Sequence, residues 1–200
     1  MSDIQIIQGD CLEVMKTFAD NQFDLVLTDP PYPDQHAVLY KYSEKPILYL
    51  DHFLCRQLVF WSARASFSLS YTAVHIWDKM IGIKRIGSQY ERIFERNGDN
   101  KYRVYSRYLI NSTVAAKYGG DTFTGHPSQK PIKLICELIE ECSEKGDTVL
   151  DPFLGSGTTA VACERMGRNC VGIEISEEYC EIARKRVQEE KDKMGLFNGD

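Results

Sequence analysis

An acidic residue, two prolines and a tyrosine stand together at Asp29-Pro30-Pro31-Tyr32, directly after an apolar run at residues 23–28. Proline cannot donate to a sheet ladder, so a strand over the apolar run must end here. The rigid turn fixes the Asp29 carboxylate and the Pro30 carbonyl as acceptors beside the Tyr32 ring. A nucleobase amine fits these acceptors while its ring stacks on an aromatic side chain. A simple Pro-Pro turn is the alternative for this motif alone.

A second motif follows another apolar run at residues 148–150 and reads Asp-Pro-Phe-Leu-Gly-Ser-Gly-Thr-Thr over residues 151–159. It precedes a predicted helix and then a strand over residues 170–175 that contains Glu174. A strand, a Gly-x-Gly turn, a helix and a strand ending in an acid hold adenosine in α/β folds. A Walker loop is excluded because no lysine follows the second glycine, and the chain offers no second half for a dinucleotide.

Two further acidic positions are placed by the elements before them. Alternation predicts a strand at residues 4–8, and apolar spacing predicts a helix over residues 11–18. With the strand that ends at Asp29 they form a β-α-β unit. Asp10 and Asp29 therefore lie at the carboxyl ends of parallel strands, where open α/β sheets bind ligands.

The middle of the chain has weaker patterns. Residues 33–45 are predicted to form a loop, residues 46 to about 60 a helix, and residues 71–77 a strand. Short antiparallel strands are expected at residues 90–95 and 102–108. A helix should begin around Pro131, and residues 177–193 should form the last helix.

Length and composition favour one domain of 200 residues with a core of its own. The seven cysteines form no C-x-x-C pair, which favours reduced core residues in the cytoplasm over disulfides or zinc. No stretch reaches membrane-spanning length, so no membrane partner is expected.

Charge is distributed unevenly although its total is −5. Residues 1–51 carry nine acidic and three basic residues, and residues 79–117 carry three acidic and nine basic residues. Tyrosines alternate with the basic residues in the second segment, a pattern typical of a surface that contacts nucleic acid. A hairpin with solvated charges is the alternative.

Four motifs in order, D-P-P-Y, H-P-S-Q-K-P, D-P-F-L-G-S-G-T-T and G-I-E-I, resemble the amino-methyltransferases that methylate exocyclic amines of DNA bases. The catalytic motif precedes the cofactor motif, as in the circularly permuted beta group. The resemblance implies an α/β, Rossmann-like S-adenosylmethionine-dependent methyltransferase fold with a seven-stranded, mostly parallel sheet and helices on both faces. One domain would span residues 1–200, with a catalytic half (1–79), a small basic DNA-contacting region (about 80–125) and a cofactor half (126–200).

Residue roles follow from the same resemblance. Asp29 and Pro30 would accept from the target amine, and Tyr32 would stack on the base. The cofactor S-adenosylmethionine would be held by the acids at strand ends, by the glycine turn and by the stretch before Pro131. These expected cofactor-binding residues are Asp10, Cys11, Asp29, Ser128, Lys130, Asp151, Phe153, Gly155, Ser156, Gly157, Thr158, Glu174 and Ile175.

The expected activity is methyl transfer to the N6 amine of adenine in double-stranded DNA, by base flipping and direct in-line transfer, with S-adenosylhomocysteine as product and no metal. Asp at the first motif position usually accompanies adenine in this family. Cytosine N4 methylation on the same fold, and an inactive DNA-binding or partner module, are the alternatives. The region at about 80–125 is short for a recognition insert, so we expect a short or relaxed target, or a homodimer that reads it jointly.

Overall fold

The computed structural model describes residues 2–35, 37–79, 90–106 and 129–197. The strands in this part are β1 (Ile4–Gln8), β2 (Leu25–Thr28), β3 (Arg56–Ser62), β4 (Ala73–Asp78), β5 (Tyr90–Arg96), β6 (Val104–Tyr105), β7 (Thr148–Asp151) and β8 (Asn169–Glu174). The helices are α1 (Cys11–Met15), α2 (Ala37–Tyr49), a 3₁₀ turn (Leu50–His52), α3 (Ile132–Cys142), α4 (Thr158–Met166) and α5 (Glu177–Phe197).

All these strands belong to one sheet, in the order β1-β8-β7-β2-β3-β5-β4-β6. The first five strands of that order are mutually parallel. Strand β5 is inserted antiparallel between β3 and β4, and the two-residue β6 extends β4 in parallel. The predicted mostly parallel α/β sheet is therefore confirmed, with eight strands in the described part where seven were expected.

The core lies on both faces of the sheet, because successive residues of a strand point to opposite sides. Leu25 and Leu27 of β2 pack in a cluster that includes residues of α3 and α4. Val26, between them, packs in the second cluster with Met15 of α1. Strand β2 is buried on both faces, as expected for a central parallel strand.

The chain between the first β-α-β unit and β4 differs from the prediction. The predicted loop at 33–45 is wrong, because α2 begins at Ala37. The predicted helix from 46 to about 60 is also wrong, since α2 ends at Tyr49 and β3 follows. A continuous apolar run such as residues 58–61 has no period that separates a helix from a strand buried on both faces. Burial of β3 between β2 and β5 decides for the strand.

Strand pairing in the second half of the sheet also differs from expectation. The expected antiparallel strand at 90–95 is confirmed as β5. The strand expected at 102–108 is described only as the two-residue β6, which pairs in parallel with β4. Strand β5 takes β3 and β4 as its neighbours and so becomes a central strand. Because β5 runs antiparallel, its first residues, including Glu91, lie beside the carboxyl end of β3, next to that of β2. Among the described helices none is long and apolar enough to cross a membrane.

Candidate active site

Four acidic residues lie at the carboxyl ends of four adjacent parallel strands. Asp10 follows β1, Glu174 ends β8, Asp151 ends β7 and Asp29 follows β2. A cavity of about 670 Å³ opens along this edge and is lined by all four. Its volume is within the range of small-molecule sites, and the carboxyl edge is where parallel α/β sheets bind ligands.

The Asp151 carboxylate fixes the start of the glycine turn through the hydrogen bonds that it accepts. Its Oδ1 accepts from Thr28 Oγ1 at 2.8 Å and from the Phe153 amide at 3.1 Å. Its Oδ2 accepts from Thr159 Oγ1 at 2.6 Å. Burial raises the pKa of Asp151 to about 6, although these hydrogen bonds oppose the shift. Asp151 thus ties β7, β2 and the start of α4 together.

The glycine turn is tied to the neighbouring acid and to α5. The Gly155 amide donates to Glu174 Oε2 at 2.9 Å, which fixes the turn beside the end of β8. Gly157 has φ +86°, and a Cβ there would lie 2.5 Å from the Ala183 Cβ. A side chain at Gly157 is therefore excluded both by backbone strain and by the close approach of α5.

The hydroxyl residues of the turn are engaged by a buried arginine. Arg186 Nη1 donates to the Ser156 carbonyl at 2.6 Å and lies 3.3 Å from Ser156 Oγ. It also reaches Thr158 Oγ1 at 3.4 Å. Ser156 and Thr158 line the cavity, but their side chains serve the link between the turn and α5.

The far end of the cavity combines acids with apolar surface. Asp10 Oδ1 caps α1 by accepting from the Leu12 and Glu13 amides at 2.9 and 3.2 Å. Burial, assisted by Asp10, raises the pKa of the Cys11 thiol to about 12, so the thiol stays neutral. Phe153 and the 71 % exposed Ile175 add apolar surface. Strand-end carboxylates for hydroxyl groups and apolar walls for a flat ring fit an adenosyl group.

The other end of the cavity holds a cluster of charged groups around Asp29. The Tyr32 hydroxyl donates to Asp29 Oδ1 at 2.6 Å, and Lys130 Nζ donates to Asp29 Oδ2. Glu91 of β5 lies beside them, with Oε2 3.0 Å from the Tyr32 hydroxyl and 3.4 Å from Lys130 Nζ. Lys79 Nζ lies 2.5 Å from Glu91 Oε1. These five residues are named the cavity charge cluster.

The two carboxylates of this cluster have pKa values shifted in opposite directions. Burial raises the pKa of Asp29, and repulsion from Glu91 adds to the rise, while Lys130 opposes it. Burial alone would raise the pKa of Glu91, but attraction to Lys130 and Lys79 lowers it. Opposed shifts of this kind separate a group that takes up protons from one that stays ionised. Asp29 therefore binds a proton more readily than an exposed carboxylate would, whereas Glu91 favours its ionised form.

The structure places the predicted residues as follows. Ser128 lies outside the described residues, and Gly157 packs on α5 instead of lining the cavity. Tyr32 is only 5 % exposed, with its ring centroid 5.8 Å from that of Trp61, so its stacking role stays a prediction. The remaining predicted residues line one cavity: Asp10, Cys11, Asp29, Pro30, Tyr32, Lys130, Asp151, Phe153, Gly155, Ser156, Thr158, Glu174 and Ile175.

Glu91 and Lys79 are site residues that sequence reasoning missed. Glu91 is only 6 % exposed, although acidic residues are almost never buried unless they are paired. The alternation Glu91, Ile93, Glu95 on one face of a predicted strand was the available signal. Lys79 was noted only as part of the basic segment.

Most basic residues of residues 79–117 in the described part act inside the protein. Arg92 donates to the Ser62 carbonyl, and Arg96 donates to Gln57 Oε1 and the Ser70 carbonyl. Lys79 pairs with Glu91, and Arg103 pairs with Asp99. The Lys101 side chain is 72 % exposed. Within the described part, the basic residues of this segment therefore bind mostly acceptors of the protein itself. Lys84, Arg85, Arg107 and Lys117 lie outside the described residues.

Comparison with known proteins bears on this site. A DNA adenine methyltransferase, YhdJ of Escherichia coli K12, is 27 % identical over 91 % of this chain and 82 % of its own length. The solved M1.HpyAVI–SAM complex superposes with a TM-score of 0.65 at 26 % identity, covering 92 % of this chain and 98 % of that one. The cytosine-N4-specific PvuII DNA methyltransferase shares the fold, with a TM-score of 0.65 at 18 % identity, 100 % of this chain and 94 % of that one.

The family model described as DNA methylase, N6_N4_Mtase, matches residues 78–185, more than half of the chain. The matched segment contains Glu91 and Lys130 of the cavity charge cluster, the glycine turn and Glu174. The same cavity is also lined by Asp29, which lies outside the matched segment. The chain belongs to the N6/N4 DNA methylase family, the S-adenosylmethionine-dependent amino-methyltransferases of DNA.

Proposed function

We propose that this chain methylates the N6 amine of adenine in DNA. The observation that carries the proposal is the position of Asp29. Its carboxylate has a raised pKa and lies in the same cavity as Gly155 and Glu174. One cavity therefore has room for a methyl donor at one end and for the target amine, bound to Asp29, at the other. Placing two reactants together in this way supplies a large share of the rate in displacement reactions.

The cofactor end follows from the acids and the glycine turn. Glu174 and Asp10 would accept from the hydroxyl and amine groups of the adenosyl group, between Phe153 and Ile175. Cys11, Gly155 and Lys130 complete the walls, and Ser128 remains a predicted contact. When bound, S-adenosylmethionine supplies an activated methyl group on a sulfonium. The protein has to bind it, orient it and exclude water.

The chemistry of the amine falls to Asp29 and Pro30. The lone pair of an adenine N6 is delocalised into the ring, so the nitrogen is a weak nucleophile. Hydrogen bonds from its two protons to Asp29 and to the Pro30 carbonyl favour a pyramidal nitrogen with a localised lone pair. As the new N–C bond forms in exchange for the methyl–sulfur bond of the donor, one N–H bond would break and its proton would pass to Asp29. The raised pKa of Asp29 suits that step, because the carboxylate then holds the proton more strongly.

Access to the amine requires the base to leave the duplex. Extrusion of a paired base costs a few kcal/mol, which stacking and hydrogen bonds in the pocket offset. We infer that Tyr32 provides the aromatic face and that residues 80–125 contribute DNA contacts, between the catalytic half (1–79) and the cofactor half (126–200). A homodimer would add a second DNA-contacting region to this short segment.

Adenine is preferred here because Asp29 occupies the first motif position and because the near full-length relative YhdJ is a DNA adenine methyltransferase. Cytosine N4 methylation is the second candidate, supported by the fold shared with the PvuII enzyme. The amines of both bases present the same donor geometry to Asp29 and Pro30, so the chemistry is common to the two reactions.

One experiment separates these candidates. Unmethylated DNA is incubated with the protein and methyl-labelled S-adenosylmethionine, and the digested nucleosides are identified by mass spectrometry. We expect label in N6-methyladenine. Label only in N4-methylcytosine would contradict the adenine proposal, and a protein that binds the donor without transferring label to DNA would point to the inactive module.

A further inference from the structure

Both oxygens of Asp29 are already occupied by donors of the protein. The Tyr32 hydroxyl donates to Oδ1, and Lys130 donates to Oδ2. An amine that approaches Asp29 therefore competes with a phenol and with an ammonium group. The competition with Lys130 is the harder one, because a charged hydrogen bond is roughly twice as strong as a neutral one.

We propose that Glu91 is a positioning residue for the methyl-transfer reaction, because it receives Lys130 and the Tyr32 hydroxyl when the target amine binds to Asp29. The inference rests on the proposed function and assigns a step within that site. Glu91 itself would contact neither the base nor the methyl donor. It would act by releasing Asp29 for the substrate.

The exchange requires only short movements of Lys130 and of the Tyr32 hydroxyl. One oxygen of Glu91, Oε2, lies 3.4 Å from Lys130 Nζ and 3.0 Å from the Tyr32 hydroxyl. Both donors that occupy Asp29 therefore have the same second acceptor already within reach. A small rotation of each side chain moves its hydrogen bond from Asp29 to Glu91 and frees both Asp29 oxygens.

Burial makes such an acceptor necessary. The side chains of Lys130 and Glu91 are only 9 % and 8 % exposed. A buried ammonium group that lost Asp29 without a new partner would be strongly destabilised. Lys130 already forms an ion pair with Glu91 as well as with Asp29, so it keeps a carboxylate partner when it leaves Asp29.

Lys79 holds Glu91 ready for this role. It lies 2.5 Å from Oε1, the oxygen that faces away from the exchange. Together with Lys130 it lowers the pKa of Glu91, so that Glu91 stays ionised while Asp29 takes up the proton. The Tyr32 hydroxyl supports the same division of roles between the two carboxylates, because its single proton can be donated to Asp29 or to Glu91 but not to both.

The first test compares two substitutions on one strand. Glu91→Gln removes the charge of the proposed acceptor, and Glu95→Gln is the matched control four residues along the same face of β5. We expect Glu91→Gln to lower kcat by about ten-fold to a hundred-fold, the range for a lost charged hydrogen bond, with unchanged affinity for S-adenosylmethionine. Glu91→Asp should recover part of the rate. Wild-type kcat in folded Glu91→Gln would overturn the proposal.

A double substitution tests the link to Lys130. If Glu91 acts by receiving Lys130, Glu91→Gln should cost little more once Lys130→Met has removed the ammonium group. Coupled residues give such non-additive effects, whereas independent ones add. An equal loss from Glu91→Gln in both backgrounds would contradict the exchange and leave Glu91 with a separate role.

A measurement without activity separates this inference from the proposed function. The titration of Asp29 is followed by carboxyl carbon NMR in the protein without ligands. Repulsion from Glu91 raises the Asp29 pKa, so Glu91→Gln should lower it, and Glu95→Gln should leave it in place. An unchanged Asp29 titration in Glu91→Gln would refute the role of Glu91. A wild-type protein inactive on DNA would instead refute the proposed function while the titration still decides the coupling.

Discussion

Glu91 and Glu95 lie on one face of β5, and each is paired with a basic side chain. Glu95 has no exposed surface and is held by Arg56 at 2.5 Å and by His75 Nε2 at 2.9 Å. Glu91 is paired with two lysines and lines the cavity. A planar arginine and a ring hold a carboxylate in fixed geometry, whereas a lysine ammonium group is a compact charge that can change partner.

The difference between these two glutamates is the basis for assigning a structural role to Glu95 and the proposed positioning role to Glu91. Both are buried, and each has a basic side chain within hydrogen-bonding distance. Only Glu91 combines access to a cavity with a partner, Lys130, that has a second carboxylate to choose. Substitutions should accordingly affect turnover at the Glu91 cluster and unfolding free energy at the Glu95 cluster.

The largest effect is expected from Asp29→Ala. Loss of the amine acceptor should lower turnover by about a thousand-fold, within the usual contribution of a positioned acid or base. The fold should persist, because Lys130 still has Glu91 3.4 Å away. Labelled methyl transfer to DNA measures turnover, and calorimetry measures donor affinity, which should be unchanged. Loss of both in a folded variant would contradict the division between the two ends of the cavity.

Glu95→Gln should have the opposite signature. Removing the charge of Glu95 leaves Arg56 with the more distant carboxylate of Asp99, 3.6 Å away, and should lower the free energy of unfolding by about 3 kcal/mol. Urea unfolding measures this change. Turnover per folded molecule should equal that of the wild type, since Glu95 lies outside the cavity lining. Slow turnover with full stability would show that the two clusters are not separate in function.

Asp151 is a third buried carboxylate, held by hydroxyls and an amide. Its pKa is about 6 in the folded state against 3.8 for the free side chain, so folding favours its protonated form. Its stabilising contribution is full below about pH 4 and is lost as pH rises through about 6. The loss is about 3 kcal/mol, from 1.36 kcal/mol per pKa unit.

Asp151→Asn should remove this pH dependence, because the amide stays neutral. The stability of the variant relative to the wild type should therefore rise by about 2 kcal/mol from pH 4 to pH 7, measured by urea unfolding at both values. Parallel stability profiles would mean that the hydroxyl donors fully compensate the Asp151 charge. Hydroxyl and amide donors would then stabilise ionised Asp151 as well as basic side chains stabilise the two glutamates of β5.

The ends of the chain and the middle strands β4 and β5 could be predicted from sequence, but α2, β3 and the pairing of the middle strands could not. Strand β1, the end of β2 and the strand-turn-helix at residues 148–166 have local signals: alternation, a Pro-Pro stop and a glycine turn. Strand β3 has a continuous apolar run, and only its neighbours in the sheet decide its structure.

The site divides in the same way. Asp29, the glycine turn and Glu174 each stand in a local motif, so the sequence alone located them. Glu91 meets Lys130 and Tyr32 only because β5 enters the sheet antiparallel between β3 and β4. No local pattern encodes that insertion, since it depends on which edge of β3 is open. Partners brought together by topology were therefore the ones missed.

The smallest effect is expected at the outer lysine of the cavity charge cluster. Lys79→Met keeps the length of the side chain and removes the charge next to Glu91 Oε1. Since Lys79 lowers the pKa of Glu91, the variant should raise that pKa and leave less of the ionised acceptor for Lys130. Turnover should fall by about five-fold, about 1 kcal/mol, and fall further as the pH is lowered.

The control for this variant is Lys101→Met, which removes a lysine with a 72 % exposed side chain outside the cavity lining. Its effect on kcat and on the pH profile should be negligible, because an exposed pair contributes little. The shape of the pH profile of kcat distinguishes an electrostatic role of Lys79 from a packing role. A uniform loss at every pH would make Lys79 a packing residue, whereas a loss that grows toward low pH requires that Glu91 works as an anion. Wild-type rates across the whole range would leave Lys130 alone to keep Glu91 ionised.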